Sequence, residues 1–356
     1  MKSGRLTLAS HAQRRLVLGL ISGLQLALGA AEFLEFNPLS MLNVQSYTPE
    51  VAPAWDDLVR TARNGVFLFE RGYMDYHADR FEDASLVVLD EGEPVALLPA
   101  HRIGTDWVAH GGLTFGGLVL HTALGAQAVL HAFDVLTAAL RSRGATRLVY
   151  KPVPHIYHRQ PAEDDVYALH RLGARTVRVD LSTTVDLERR PPLSKGRRHA
   201  LSKASRAGVT VRATGDFAGY WALMSAVLAE RHGVAPTHHL DEITRLAARF
   251  PQIRCYGAHA TDGELLAGAV VYRYDGVLHT QYMASSSAGR EVGALDAVIA
   301  HLLDHASEGC RWLNFGVSTV DQGRQLNAGL AAQKEMFGGR STLLQTLELD
   351  LTALPS

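Results

Sequence analysis

Three clusters of residues in this chain have types and spacings suited to chemistry. The first is cationic: Arg189, Arg190, Lys195, Arg197, Arg198, Lys203 and Arg206 occur between positions 189 and 206 without one acidic residue. Arginine and lysine at that density suit phosphate groups, and the competing reading is a solvated basic helix. Ser194 is placed to cap such a helix, which would hold Arg197, Arg198 and Leu201 and end near Gly208. The second cluster is Pro236–Ile243, where His238 and Glu242 stand four apart at the start of a helix. That spacing allows a proton-relay pair on one face, or a helix-start contact in which the acid answers the helix dipole. The third is His301 and His305, also four apart, which make half a metal site with no third ligand in view, so no metal is expected.

Other machinery is absent from the sequence. There is no His-Glu-x-x-His, no paired Cys-x-x-Cys and no EF-hand run. Gly316-Val317-Ser318-Thr319-Val320 lacks the second glycine of a nucleophile elbow. The run Gly111–Leu120 lacks the Gly-Lys-Ser/Thr ending of a phosphate loop, so its glycines read as a bulge or a close backbone approach. The net charge of -1 over 356 residues gives no footprint for duplex DNA. Two cysteines, Cys255 and Cys310, offer no disulfide framework, which fits a reduced, cytoplasmic protein.

The elements that must position these clusters follow one order twice. Strands at Ile253–Ala258, Leu265–Tyr274 and Val277–Ala284 are separated by Asp-Gly turns. A loop over Ser285–Gly293, a helix over Ala294–Ser307 and a strand over Arg311–Phe315 complete the unit. Earlier, Ser85–Asp90, Pro94–Ile103, Trp107–Ala109, a helix over Leu124–Ser142 and a strand over Arg147–Lys151 repeat that order. A strand at Val177–Leu181 and a linker at Thr183–Pro192 would join the halves. Phe67-Leu68-Phe69 and Tyr73 read as core. Residues 1–40 stand apart: Arg14-Arg15 precede an apolar run, Leu16–Ala31, shorter than the ~20 residues a spanning helix needs. A start-site extension, a signal or membrane-surface segment, and a core helix are all open readings.

Several runs, in order, carry a family resemblance. They are Ser194-Lys195-Gly196-Arg197-Arg198…Lys203, Pro236-Thr237-His238-His239-Leu240, His279-Thr280-Gln281-Tyr282, Asn314-Phe315-Gly316-Val317-Ser318-Thr319 and Asn327…Gln333-Lys334-Glu335-Met336-Phe337-Gly338-Gly339. Together they resemble the GNAT acyltransferase superfamily and, within it, the tandem-domain Fem-like branch. That branch holds aminoacyl-tRNA-dependent peptidyltransferases of peptidoglycan bridges and acetyltransferase-like proteins of surface-polysaccharide loci.

The resemblance implies an α/β (α+β) chain of two tandem GNAT-like domains, each a mixed, mostly antiparallel sheet flanked by helices. Residues 41–190 would form the first and 191–356 the second, with the acyltransferase site in the second. It implies transfer of an acetyl or aminoacyl group to an amine of a small-molecule or lipid-linked glycan precursor. The donor would be acetyl-CoA as a co-substrate or aminoacyl-tRNA, with no tightly bound cofactor, and contact with a membrane surface is open. A non-catalytic binding protein on the same fold is the alternative.

His238, Gln281, Tyr282, Ser318 and Lys334 would line the reacting centre. Lys195, Arg197, Arg198, Lys203 and Asn327 would hold substrate phosphates. Arg290 and Gly293 would belong to the donor's pyrophosphate loop, although Leu295 stands where that loop ends in a small residue. Strand alternation places His279 and Gln281 on one face and Thr280 and Tyr282 on the other. For Lys334 the competing reading is a helix-end lysine before a Gly338 cap.

Overall fold

The structure is a computed structural model that describes residues 42–355 except Val234; the segment read above as residues 1–40 lies outside the described residues. The first half of the chain opens with β1 (Asn43–Ser46) and α1 (Ala52–Thr61). Proline in its first turn suits α1, which buries Trp55, Leu58 and Val59 on one face. The Trp55 indole N–H then finds the Phe69 carbonyl at 2.7 Å. After α2 (Arg71–Met74) come β2 (Glu82–Asp83), β3 (Leu86–Asp90), β4 (Glu93–Leu98), β5 (Ala100–Ile103), β6 (Asp106–Ala109) and β7 (Val119–Leu120). The half continues with α3 (Ala126–Ser142), β8 (Arg147–Tyr150), α4 (Asp164–Arg171) and β9 (Arg175–Asp186).

The second half holds α5 (Lys195–Arg206), β10 (Thr210–Thr214), α6 (Phe217–His232) and α7 (Leu240–Arg249). The expected meander follows as β11 (Ile253–His259), β12 (Leu265–Tyr274) and β13 (Val277–Ser285). Then come α8 (Ser287–Val292), α9 (Ala294–His301), β14 (Trp312–Val317), β15 (Thr319–Val320), β16 (Gln325–Leu326), α10 (Ala328–Glu335) and β17 (Arg340–Asp350). A single α-helix to Ser307 is not what forms: after His301 the chain passes into a π-helical turn over Leu302–Ala306.

Eleven strands join in one sheet, in the order β10-β11-β12-β13-β14-β9-β17-β8-β6-β5-β2. A second sheet, β1-β3-β4-β7, is connected to it at Pro99, between β4 and β5. The middle of the large sheet is an exchange. β9, the last strand of the first half, pairs with β14 of the second, while β17, the last strand of the chain, pairs with β8 of the first. The two exchanged strands also pair with each other from Arg340–Thr184 to Glu348–Arg175. This accounts for a correction to the sequence reading. Thr183–Asp186 is strand and not linker, because its backbone groups are satisfied by partners more than a hundred residues away. Each half donates an edge strand to the other, so neither sheet is complete alone.

The cores repeat that fusion. Phe67 and Tyr73 from the first half pack against Phe250 and Tyr272 from the second, with ring centroids 5.6 to 6.4 Å apart. Offset and edge-on pairs of this kind add about 0.5–1.5 kcal/mol each beyond area burial. Leu266, Val298, Leu313, Phe315 and Phe337 form a second core on the other face of the sheet.

In the first half, β6 and β8 run parallel and stop pairing after Val108–Val149. The space where they part is filled by the glycine run itself. Gly116 N–H donates to the Lys151 carbonyl at 2.8 Å, and the Lys151 ammonium donates to the carbonyls of His110 and Leu113 at 2.8 and 2.6 Å. A Cβ on Gly116 would stand 2.9 Å from the Ala109 backbone, which is why the run needs glycine there. Gly116→Val is therefore expected to lower stability by about 1–3 kcal/mol, read as a shifted denaturation midpoint.

Candidate active site

The second half contains the same parting. β13 and β14 pair at Val277–Trp312, Leu278–Leu313 and His279–Asn314, and then diverge. On the other side of β13 the register slips, with Val271 opposite Thr280 and Val270 opposite Tyr282. Gln281 is the extra residue of a β-bulge, with no cross-strand partner on either side. The bulge overturns the face assignment made from alternation. Tyr282 joins His279 on the face turned to the first half, where Tyr282 packs on the aromatic core and the Tyr157 hydroxyl lies 3.2 Å from His279 Nδ1.

On the β13 side, the Tyr282 hydroxyl is paired with His238 Nδ1. The Trp221 indole N–H fixes the His238 carbonyl at 3.2 Å, and the Trp221 ring stands edge-on to Tyr282 at 5.3 Å. Tyr76 of the first half stacks on the His238 imidazole at 6.1 Å. Burial pushes His238 below the usual imidazole range and Tyr282 up to about 12. At neutral pH the pair is thus an uncharged imidazole and a protonated phenol. The relay expected between His238 and Glu242 does not form as a hydrogen bond. His239 is the N-cap of α7, and Glu242 accepts from its backbone N–H at 2.6 Å while pairing with Arg80 at 3.0 Å.

Behind the bulge, Asn314 is a hub. Its side-chain oxygen receives the Gly316 N–H at 2.9 Å and lies 2.8 Å from His279 Nδ1. Its amide nitrogen donates to the hydroxyls of Ser182 and Thr184 at 2.9 and 2.8 Å. These contacts fix the amide orientation, so His279 carries its proton on Nδ1 and keeps Nε2 as an acceptor. Enclosure pushes His279 down to about 4, so it stays neutral across the working range.

The β14 side carries Lys334 and Ser318. The Lys334 ammonium donates to the carbonyls of Gly316 and Val317 at 2.9 and 2.7 Å and to the Ser318 hydroxyl at 3.0 Å. Burial without a carboxylate partner among the described residues pushes Lys334 down to about 8. The two sides meet at Gly316, whose carbonyl takes Lys334 and whose Cα faces the His279 ring. The unfolded lysine has a pKa of roughly 10.4, so between about pH 8 and about pH 10 the unfolded chain binds more protons. Stability should therefore rise with pH in that window, and Lys334→Met should flatten the rise when denaturation midpoints are compared at the two pH values.

A cavity of about 590 Å³ adjoins Tyr76 at the boundary of the two halves. Its wall carries Asp75, Asp79 and Glu242 beside Arg245 and Arg249, so both signs of charge face one space. The remaining expected site residues fall elsewhere. Asn327 is the N-cap of α10, its side-chain oxygen accepting from Leu330 N–H at 3.0 Å. Ser194 caps α5 as expected, but Arg197 turns inward to Asp296 at 2.7 Å and over the Phe337 ring at 5.1 Å. Arg198 donates to the Leu193 carbonyl at 2.5 Å, while Lys195 and Lys203 stay exposed.

Arg290 bonds the Ser285 carbonyl at 2.8 Å, and Gly293, at φ 78°, turns the chain from α8 into α9. A Cβ on Gly293 would stand 2.8 Å from the Ala200 carbonyl, so α5 lies directly over the loop where a donor pyrophosphate was expected. His301 and His305 face each other at 5.2 Å, and among the described residues no group of three His, Cys, Asp or Glu is placed to hold a metal. The sequence reading assigned no role to Asn314, to Tyr76, or to Tyr157, whose hydroxyl lies 3.2 Å from His279 Nδ1. A lone Asn amid Leu313 and Phe315 in a buried strand was the available signal for the first.

Comparison with known proteins now bears on this geometry. Residues 189–322 match the family model described as an acetyltransferase (GNAT) domain. Over those residues the chain matches a GNAT domain. The matched segment includes α5, the bulged β13 and the diverging β14, while Lys334 and the Ser182 and Thr184 partners of Asn314 lie outside it. No curated protein sequence matches the chain.

Among solved structures, FemX superposes with a TM-score of 0.63 at 12% identity, over 86% of this chain and 97% of its own. L-PGS from Bacillus licheniformis gives 0.56 at 16%, over 86% and 93%. The C-terminal domain of a protein ascribed to the lysylphosphatidylglycerol synthetases, from Agrobacterium fabrum, gives 0.58 at 16%, over 84% and 91%. At these identities the likeness is one of fold. The fold is that of tandem GNAT-like domains, each a mixed, mostly antiparallel sheet flanked by helices, with the GNAT domain of this chain in the second position. No helix among the described residues is long and apolar enough to cross a membrane.

Proposed function

We propose that the GNAT domain moves an acyl group from an activated donor to an amine of a cell-wall or surface-polysaccharide precursor. The observation that carries this reading is the Gln281 bulge at the parting of β13 and β14, with the Tyr282–His238 pair beside it. An amine arrives as an ammonium ion and must lose a proton before it attacks. Neutral His238 is suited to receive that proton through the Tyr282 hydroxyl. As the new C–N bond forms, charge collects on the acyl oxygen, where backbone N–H groups around the unpaired Gln281 are suited to meet it. The bond to the donor then breaks, the new amide nitrogen gives up its second proton, which Tyr282 passes to the leaving thiolate or alkoxide, and His238 releases the first proton to solvent.

In this reading Lys334 and Ser318 hold the end of β14 in place and present one cation to the donor or acceptor. Lys195, Arg198 and Lys203 remain on α5 for precursor phosphates. The acceptor cavity at Tyr76, with acids and arginines together, suits an acceptor that carries an amine and an anionic group. Acetyl-CoA and aminoacyl-tRNA both meet the chemical need for a donor. The name of the lysylphosphatidylglycerol synthetases joins an aminoacyl group to a lipid, which supports keeping tRNA and a lipid-linked acceptor, met at a membrane surface in the cytoplasm, within the proposal.

A second reading is a non-catalytic binding protein that has lost its donor. It is favoured by α5 lying over Gly293 and by Arg290 being spent on the Ser285 carbonyl. Thermal melting in the separate presence of acetyl-CoA and of charged tRNA distinguishes the two. A rise with one donor, followed by its turnover with an amine present, supports the enzyme. No rise with either leaves the binding reading standing.

A further inference from the structure

A cavity of about 420 Å³ opens where the two exchanged strands begin and end, at the far end of β14 from the parting. Its size falls in the range of small-molecule sites. Arg189, just after β9, and Arg340, the first residue of β17, stand on its wall together with Trp312, His155, Thr184 and Thr342. Among the described residues the Arg189 guanidinium has no hydrogen-bonding or ionic partner, and Arg340 spends one N–H on the Gly339 carbonyl at 2.6 Å. Asp186, the carboxylate on the wall, accepts the Glu188 backbone N–H at 3.1 Å and pairs with neither arginine.

The floor is polar as well. Thr184 receives the Asn314 amide at 2.8 Å, and its hydroxyl shares a 2.8 Å hydrogen bond with that of Thr342 in which either can donate. Two arginine forks above paired hydroxyls thus face one space, which is the chemistry that recognises phosphate oxygens in pairs. Trp312 stands at the same wall with the Arg311 guanidinium 4.5 Å over its ring, and it is the one half-buried indole beside the buried Trp55, Trp107 and Trp221.

We propose that this cavity binds the diphosphate of a nucleotide, with Arg189 and Arg340 on the phosphate oxygens and Trp312 against the base or sugar. The site is separate from the acyl-transfer centre and stands whether or not that reading holds. A sugar nucleotide and coenzyme A share this chemistry, and the ligands tested tell them apart.

The full chain, and its Trp312→Phe variant as the blank, are titrated with pyrophosphate, UDP, ADP and coenzyme A while indole fluorescence is followed. Saturable quenching by at least one nucleotide is expected, absent in Trp312→Phe. Arg189→Glu and Arg340→Glu should each weaken binding by roughly 10- to 100-fold, the loss of a charge-assisted hydrogen bond. Both side chains are exposed, so melting temperatures should hold. Tyr282→Phe should bind as the wild type does. Preference for UDP assigns a sugar nucleotide, and preference for coenzyme A assigns coenzyme A as the ligand of this separate site. Unchanged affinity in both arginine variants, loss of binding in Tyr282→Phe, or no quenching by any nucleotide would overturn the proposal.

Discussion

Tyr282→Phe is expected to slow acyl transfer by about 10²- to 10⁴-fold, the range that a positioned acid–base group contributes. The phenyl ring would keep its edge contact with Trp221 at 5.3 Å, so the core around it should hold. What disappears is the hydroxyl between His238 and the reacting amine. The loss should fall on kcat more than on KM, because the hydroxyl acts as charge and protons move and adds little to ground-state binding. His238 titrates below the usual imidazole range, so the acid limb of the rate profile should also lie low in the wild type. Release of thiol from acetyl-CoA, or of free tRNA from its charged form, measures the rate. An unchanged rate would remove Tyr282 from the chemistry.

Asn314→Leu is expected to cost about 3–5 kcal/mol of stability, more than any single contact at the site would suggest. Leucine would leave the Gly316 N–H without an acceptor in a dry place and the His279 Nδ1–H with the Tyr157 hydroxyl alone at 3.2 Å, and an orphaned group costs about 1–3 kcal/mol. The hydroxyls of Ser182 and Thr184 would lose a donor at the same time. Since β14 is held to β9 at these residues, the exchange that unites the two halves should loosen with it. Urea denaturation compares the midpoints. A shift under about 1 kcal/mol would mean that water replaces the amide and that the hub is less closed than its contacts imply.

The order of elements was readable because turn glycines and apolar runs are local signals. So were the Ser194 cap and the use of Gly116 for a close approach. What escaped depends on partners distant in sequence. Strand alternation put Gln281 and Tyr282 on opposite faces, and one extra residue in the register against β12 cancelled that. Thr183–Asp186 looked like linker because nothing near it in the chain pairs with it; its partners are Trp312 and the start of β17.

Asn327 and Arg197 read as phosphate ligands from their neighbours in sequence, and the fold uses the first as a cap and the second in a pair with Asp296. His238 was placed correctly at the start of a helix, yet its partner is Tyr282 across the site, not Glu242 one turn on. Polar residues in strands report that a partner exists and not which one.

The central claim is that an acyl donor seats at the bulge of β13. Amide hydrogen exchange over Val277–Ser285, with and without a saturating non-hydrolysable donor analogue, tests it directly. The expected result is slowed exchange at Gln281, which has no cross-strand partner, and at Tyr282, which has none on the β14 side. Exchange unchanged there while α5 or α8 gains protection would place the donor elsewhere and contradict the account.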